Sequence, residues 1–199
     1  MKDWYHSGMN LRLISGVLAA GLLAALGAAT PLPAAPASSG AYQVEILIFR
    51  ANSPPGGEDL GTPAEGRGFS APAPGDNPPP DLLRTLDSSQ MQLGSMASKL
   101  RASGEWTVLA HAAWVQTATD WPHHAGLALE QLGISAAGLH GTVYLEHGQY
   151  LHLGFDLQLG NGPTWSLREL RKIRFNEKNY FDHPGFGVIA IVSPARVAG

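Results

Sequence analysis

Apolar and polar residues alternate along several stretches of the chain, and the alternation predicts strands. In "YQVEILIFR", Tyr42 to Arg50, Val44, Ile46 and Ile48 share one face while Glu45, Leu47 and Phe49 share the other. One face is wholly apolar and the other nearly so, which suits a central strand. "EWTVLAHAAWVQ" reads as a second strand, with Trp106, Val108, Ala110, Ala112 and Trp114 on one parity. The clearest signal is "HGTVYLEHGQYLHLGFDLQLGNG", where Leu151, Leu153, Phe155, Leu157 and Leu159 alternate with Tyr150, His152, Gly154, Asp156 and Gln158. Its turn is "EHGQ", with Gly148 expected to supply the positive φ of a tight hairpin. "TWSLRELRKIRF" predicts a further strand in which Leu170 falls out of step with Trp165, Leu167, Ile173 and Phe175, the mark of a bulge. "VIAIVSP", from Val188, is short, β-branched and apolar, a last strand that expects burial.

From Leu82 the period changes. Leu93, Met96, Ala97 and Leu100 recur at i, i+3, i+4 and i+7, the stripe of an amphipathic helix. Ser88 or Ser89 is placed to cap its start, and Gly104 to stop it. "TATDWPHHAGLALEQLGISAAG" predicts a loop with a short helical turn around Leu127 to Leu132. Between Asn52 and Pro80 lie eight prolines and six glycines without periodicity, which predicts a flexible surface insertion over 52–80. The sum is an α+β domain: an antiparallel sheet of about five or six strands with one main amphipathic helix.

The beginning of the chain changes the picture of where this domain works. Lys2 and Arg12 precede the apolar run "LISGVLAAGLLAALGAA" and the small-residue stretch "TPLPAAPASSG". A cationic start, an apolar middle and an Ala-x-Ala site describe a secretory signal, expected over 1–37 with cleavage after Ala35-Pro36-Ala37. A retained membrane anchor is the competing reading. The rest, 38–199, is expected to be a single exported domain. The chain has no cysteine, which excludes a disulfide framework, a thiol nucleophile, a thiolate zinc site and a lipidated cysteine.

Net charge is −3, and removal of 1–37 leaves the remainder near −4. That balance argues against a general nucleic-acid binder. It is uneven, however. Arg168, Arg171, Lys172, Arg174 and Lys178 stand against Glu169 and Glu177 alone, a local excess of three positive charges. Such a run is commonly a solvated strand face, and it is also suited to anionic ligands.

Catalytic chemistry finds little footing. Eight histidines occur, but no H-E-x-x-H spacing does, and adjacent His123 and His124 would point apart on a strand. A two-His, two-Asp site of His152, Asp156, Asp182 and His183 is conceivable across a sheet, although outward polar positions explain the same residues. No G-x-S-x-G is present. Asp182 and His183 are sequence neighbours before Pro184, a poor geometry for a triad. Glu45, Glu146 and Asp156 offer carboxylates across a sheet, yet nothing in their spacing selects a glycosidase pair. No cofactor or metal is expected. A binding surface remains: Trp114, Tyr144, Tyr150 and Tyr180 as flat faces for sugars, with Arg171, Lys172 and Arg174 as donors to carboxylates. Peptidoglycan presents both groups. Core or sheet packing is the competing reading for the rings. At "NYFDHPGFG", Tyr180, Asp182 and His183 are expected to form a hydrogen-bonded corner, with Gly185 and Gly187 permitting the tight backbone.

Several stretches together resemble the CsiV family of gammaproteobacterial periplasmic proteins. The resemblance rests on Tyr42, Val44 and Glu45; His111, Trp114 and Gln116; Leu139, Gly141 and Val143; and Tyr150, Leu151 and His152. It continues through Arg171, Lys172 and Arg174 to Tyr180, Asp182, His183, Pro184, Phe186 and Gly187. It covers residues 42–50 and most of 82–194 in order. Asn179 departs from it, because the family pattern has a histidine there. What the resemblance implies is a non-enzymatic periplasmic protein that binds peptidoglycan and supports cell-wall synthesis. It would act with a penicillin-binding synthase or its lipoprotein activator. The expected ligand contacts are Arg171, Lys172, Arg174, Trp114, Tyr150, His152, Tyr180, Asp182 and His183.

Overall fold

A computed structural model describes residues 40–53, 78–160 and 165–195. The expected leader, and most of the insertion expected over 52–80, lie outside the described residues. Among these residues the chain forms ten strands and one α-helix. The strands are β1 (Ala41–Ala51), β2 (Leu82–Thr85), β3 (Trp106–Thr117), β4 (Thr119–Asp120), β5 (Gly126–Ala128), β6 (Leu139–His147), β7 (Leu151–Leu159), β8 (Trp165–Ile173), β9 (Asn179–His183) and β10 (Phe186–Pro194). The helix α1 is Gly94–Ser103. No helix among the described residues is long and apolar enough to cross a membrane.

The expected single sheet is two. The first runs β2-β3-β1-β10-β9; the second runs β4-β6-β7-β8, with β5 also paired to β6. All pairings are antiparallel except β4 with β6. β1 is central, as its two apolar faces require: Val44, Ile46 and Ile48 join a core shared with Leu145, Leu153, Phe155 and Leu157 of the second sheet. Leu47 faces the other way and packs with Ile191 under Leu93 and Ala97 at α1. The order of layers is therefore helix, sheet, sheet.

The expected helix forms, but its start is not where the serines pointed. Leu82–Thr85 is an edge strand and Ser88–Gln90 a 3-10 turn, so neither Ser88 nor Ser89 caps α1. Glu45 does so from β1. Its carboxylate is buried and accepts from the backbone N–H of Gln92 at 2.6 Å and Leu93 at 2.8 Å, while His111 Nε2 lies 2.8 Å from Oε1. A carboxylate at a helix N-terminus satisfies orphan donors and complements the dipole. Gly104 closes the helix with φ 71°. Glu45 therefore faces the helix and cannot pair with Glu146 or Asp156 across the core.

The bulge expected at Leu170 is absent: β7 and β8 pair without interruption from Leu151↔Ile173 to Leu159↔Trp165. Leu170 sits on the outer face of the second sheet opposite Gly154, where a Cβ would meet the leucine side chain. The irregularity in β1 comes instead between Ile48 and Phe49. One corner of the two sheets is tied by Arg171, whose guanidinium lies 4.0 Å from the Phe181 ring centre and donates to the Tyr180 carbonyl.

Candidate functional site

The alternation in β6, β7 and β8 sends Glu146, His152 and Lys172 to the outer face of the second sheet as register neighbours. This row has a cover. β4 leaves in parallel from the end of β6, pairing Thr119 with Glu146 and Asp120 with His147, and β5 rejoins the same strand at Gly126↔Tyr144. Residues 121–125 therefore form a strap across the row. The Trp121 N–H donates to the His147 carbonyl at 3.2 Å. Gly148 has no positive φ, contrary to expectation; a Cβ there would come within 3.1 Å of Trp121 Cβ, so the glycine makes room for the indole.

Trp121 stacks on the His152 ring with centroids 4.0 Å apart, and His124 meets the indole edge-on at 5.5 Å. Trp121 remains 43% exposed and Tyr150 44%. The Lys172 ammonium sits 3.1 Å from the Tyr150 ring centre, a cation–π contact that occupies one face of that ring. Beneath the strap, Glu146 is 0% exposed. His124 Nδ1 lies 3.1 Å from Glu146 Oε1, while Oε2 is buried without a hydrogen bond. His124 holds a φ of 51°, which a residue with a Cβ adopts at a cost. A strained residue above a buried, half-satisfied carboxylate is costly for a structural loop.

Burial raises the Glu146 carboxyl above the ordinary range, opposed by its interactions with His124. Burial also lowers the His152 imidazole, reinforced by Lys172. The sign for Glu146 follows from linkage. A carboxyl raised in the folded state contributes stability below its unfolded value, about 4.3, and loses it as pH rises through the folded value. The Glu146→Gln variant should therefore gain in melting temperature relative to the parent between pH 4 and neutrality. A pH-independent difference between the two would contradict the burial argument.

The residues expected from the sequence divide into groups that the fold does not bring together. Tyr150, His152 and Lys172 meet on the outer face just described. Trp114 is 1% exposed, and its indole Nε1–H donates to Gln116 Oε1 at 2.6 Å inside the core. It has no face for a ligand, because its parity on β3 turns it toward the second sheet. The expected cationic residues part company across β8. The two-residue period of β8 puts Lys172 outward and Arg171 on the inner parity, where it binds the Tyr180 carbonyl and lies 3.2 Å from Glu169. Arg174 follows the strand and faces Glu177 at 3.7 Å.

Tyr180 and Asp182 lie on the helix-facing side of the first sheet, with the Tyr180 hydroxyl donating to Asp182 Oδ1 at 2.8 Å and its ring stacked on Phe49. Burial and Asp182 push the Tyr180 hydroxyl up to about 12. His183 Nδ1 accepts from the Gly185 N–H at 3.1 Å, and burial lowers its imidazole. The corner is thus two separate hydrogen bonds. Gly185 and Gly187 serve ring approach rather than a special backbone: a Cβ at Gly185 would overlap Trp165, and one at Gly187 would press on Phe49 and Tyr180. His152 and Asp156 are on the other sheet from Asp182 and His183, and no group of three or more metal-ligating side chains occurs among the described residues. Trp121, His124 and Glu146 were not expected at the site. For the first two the sequence signal was a tryptophan and a histidine pair in a stretch without periodicity; Glu146 was a carboxylate for which spacing selected no partner.

The fold and this surface define a class: a helix-backed, two-sheet domain that presents exposed rings beside buried polar groups on one sheet. The chain matches the family described as "Peptidoglycan-binding protein, CsiV" over residues 78–195. It belongs to the CsiV family. Neither a curated protein nor a solved structure matches it.

Proposed function

We propose that this protein binds peptidoglycan on the outer face of the second sheet, with Trp121 and Tyr150 as the stacking platform and His152 and Lys172 between them. The observation that carries the reading is the pair of half-exposed rings flanking a polar row, in a chain of a peptidoglycan-binding family. Large aromatic faces that remain exposed beside hydrogen-bonding groups are characteristic of binding sites. The apolar leader supports export to the periplasm and its own removal. Action with a penicillin-binding synthase or its lipoprotein activator completes the reading, and no bond is broken by this chain.

Sedimentation with purified cell-wall sacculi tests it. The parent protein should pellet with the sacculi, and Trp121→Ala should weaken retention about tenfold or more. Arg171→Ala combined with Arg174→Ala should keep most of it, because both guanidinium groups already have partners. Retention that survives Trp121→Ala with Tyr150→Ala moves the site elsewhere. Soluble muropeptides released during the incubation would replace binding with hydrolysis, and capture of a synthase without any sacculus retention would leave a protein-only adaptor.

A further inference from the structure

The cations of the second sheet bear on which part of the wall polymer is read. Peptidoglycan offers two chemistries: a glycan strand of N-acetylated amino sugars, uncharged along its ring faces, and stem peptides rich in carboxylates. A carboxylate reader needs a cation free to approach. Arg168 lies 3.1 Å from Asp156, Arg171 is held by Glu169 and the Tyr180 carbonyl, and Arg174 faces Glu177. Lys172 rests on the Tyr150 ring. Among the described residues, each of these four cations already has a partner.

What the site does leave open is different. Trp121 offers a half-exposed indole, and Tyr150 a half-exposed ring, suited to the C–H face of a sugar. Beneath the strap, Glu146 Oε2 is a buried acceptor with no hydrogen-bond donor among the described residues. A buried carboxylate repels an incoming carboxylate. It accepts a hydroxyl or an amide N–H. Because Oε2 has no exposed surface, such a donor reaches it only when the strap at Trp121–Ala125 shifts. The strap is the segment in which His124 holds its costly φ.

Resting on the peptidoglycan reading above, we infer that this site reads the glycan strand and not the stem peptide. It takes an N-acetyl amino sugar, stacked on Trp121, whose amide N–H or hydroxyl satisfies Glu146 Oε2.

Competition on sacculi separates the possibilities. The purified full chain is bound to sacculi and challenged with an N-acetylglucosamine tetramer, with the same tetramer after removal of its acetyl groups, and with a free stem tetrapeptide. The acetylated sugar should release the protein, while the deacetylated sugar and the peptide should not. Direct titration with the acetylated tetramer should show binding that Trp121→Ala weakens about tenfold or more. Release by the peptide alone overturns the inference and leaves peptidoglycan binding intact. Stronger release by the deacetylated, cationic sugar overturns it too, because Glu146 would then be reading an ammonium group. Failure of all three competitors, with retention intact, places recognition outside this site. Absence of retention before any competitor is added sinks the peptidoglycan reading itself.

Discussion

Replacing Glu45 by alanine should destabilise the protein by about 3 kcal/mol, more than a surface change in a strand has any reason to do. The carboxylate caps α1 through the Gln92 and Leu93 N–H groups and holds His111, and its side chain is buried. Loss of a cap costs about 0.5–2 kcal/mol. Leaving buried donors unpaired adds about 1–3 kcal/mol. For a domain of this size the melting temperature should fall by roughly 6–12 °C. His111→Ala should cost less, because the two backbone donors keep their acceptor. A fall of under about 2 °C for Glu45→Ala would show that α1 is held by Leu93 and Ala97 alone.

Trp114→Ala should be comparably damaging, about 3–5 kcal/mol, through the cavity left between the two sheets. The buried Gln116 oxygen also loses its donor. Should that variant fail to fold, Trp114→Phe isolates the second effect: it keeps most of the ring volume but removes the N–H, at about 1–3 kcal/mol. In both, sacculus retention per folded molecule should equal the parent's. Melting curves and sedimentation on the same preparations check this. Weakened retention by folded Trp114→Phe would mean that the core tryptophan shapes the binding face after all.

These two residues belong to stretches on which the family resemblance rests, "YQVEILIFR" and "LAHAAWVQ". Their roles show why resemblance in sequence is not a map of a site. Glu45, His111, Trp114 and Gln116 recur in the pattern, yet all four serve the interior: a helix cap, its partner, and a buried indole–amide pair. The proposed platform is Trp121 with Tyr150, and only Tyr150 was legible beforehand. Trp121 lies in a segment without period, and its placement depends on β4 and β5 both pairing with β6, contacts that no local pattern encodes.

The sequence by itself determined the long strands β1, β3, β6, β7, β8 and β10 and the one helix, because burial on one side of a strand or helix imprints a period on neighbouring residues. The short strands β2, β4, β5 and β9 were not legible in it. It also determined the antiparallel hairpin at β6–β7 and the family. Only the tertiary structure decided that there are two sheets, that Glu45 caps a helix far along the chain, and that Arg171 and Lys172 part company across β8. It alone lowered Trp121 onto His152. Periodicity records which side of an element is buried but not which element buries it. Distant pairing, and not local pattern, therefore decides which polar groups meet.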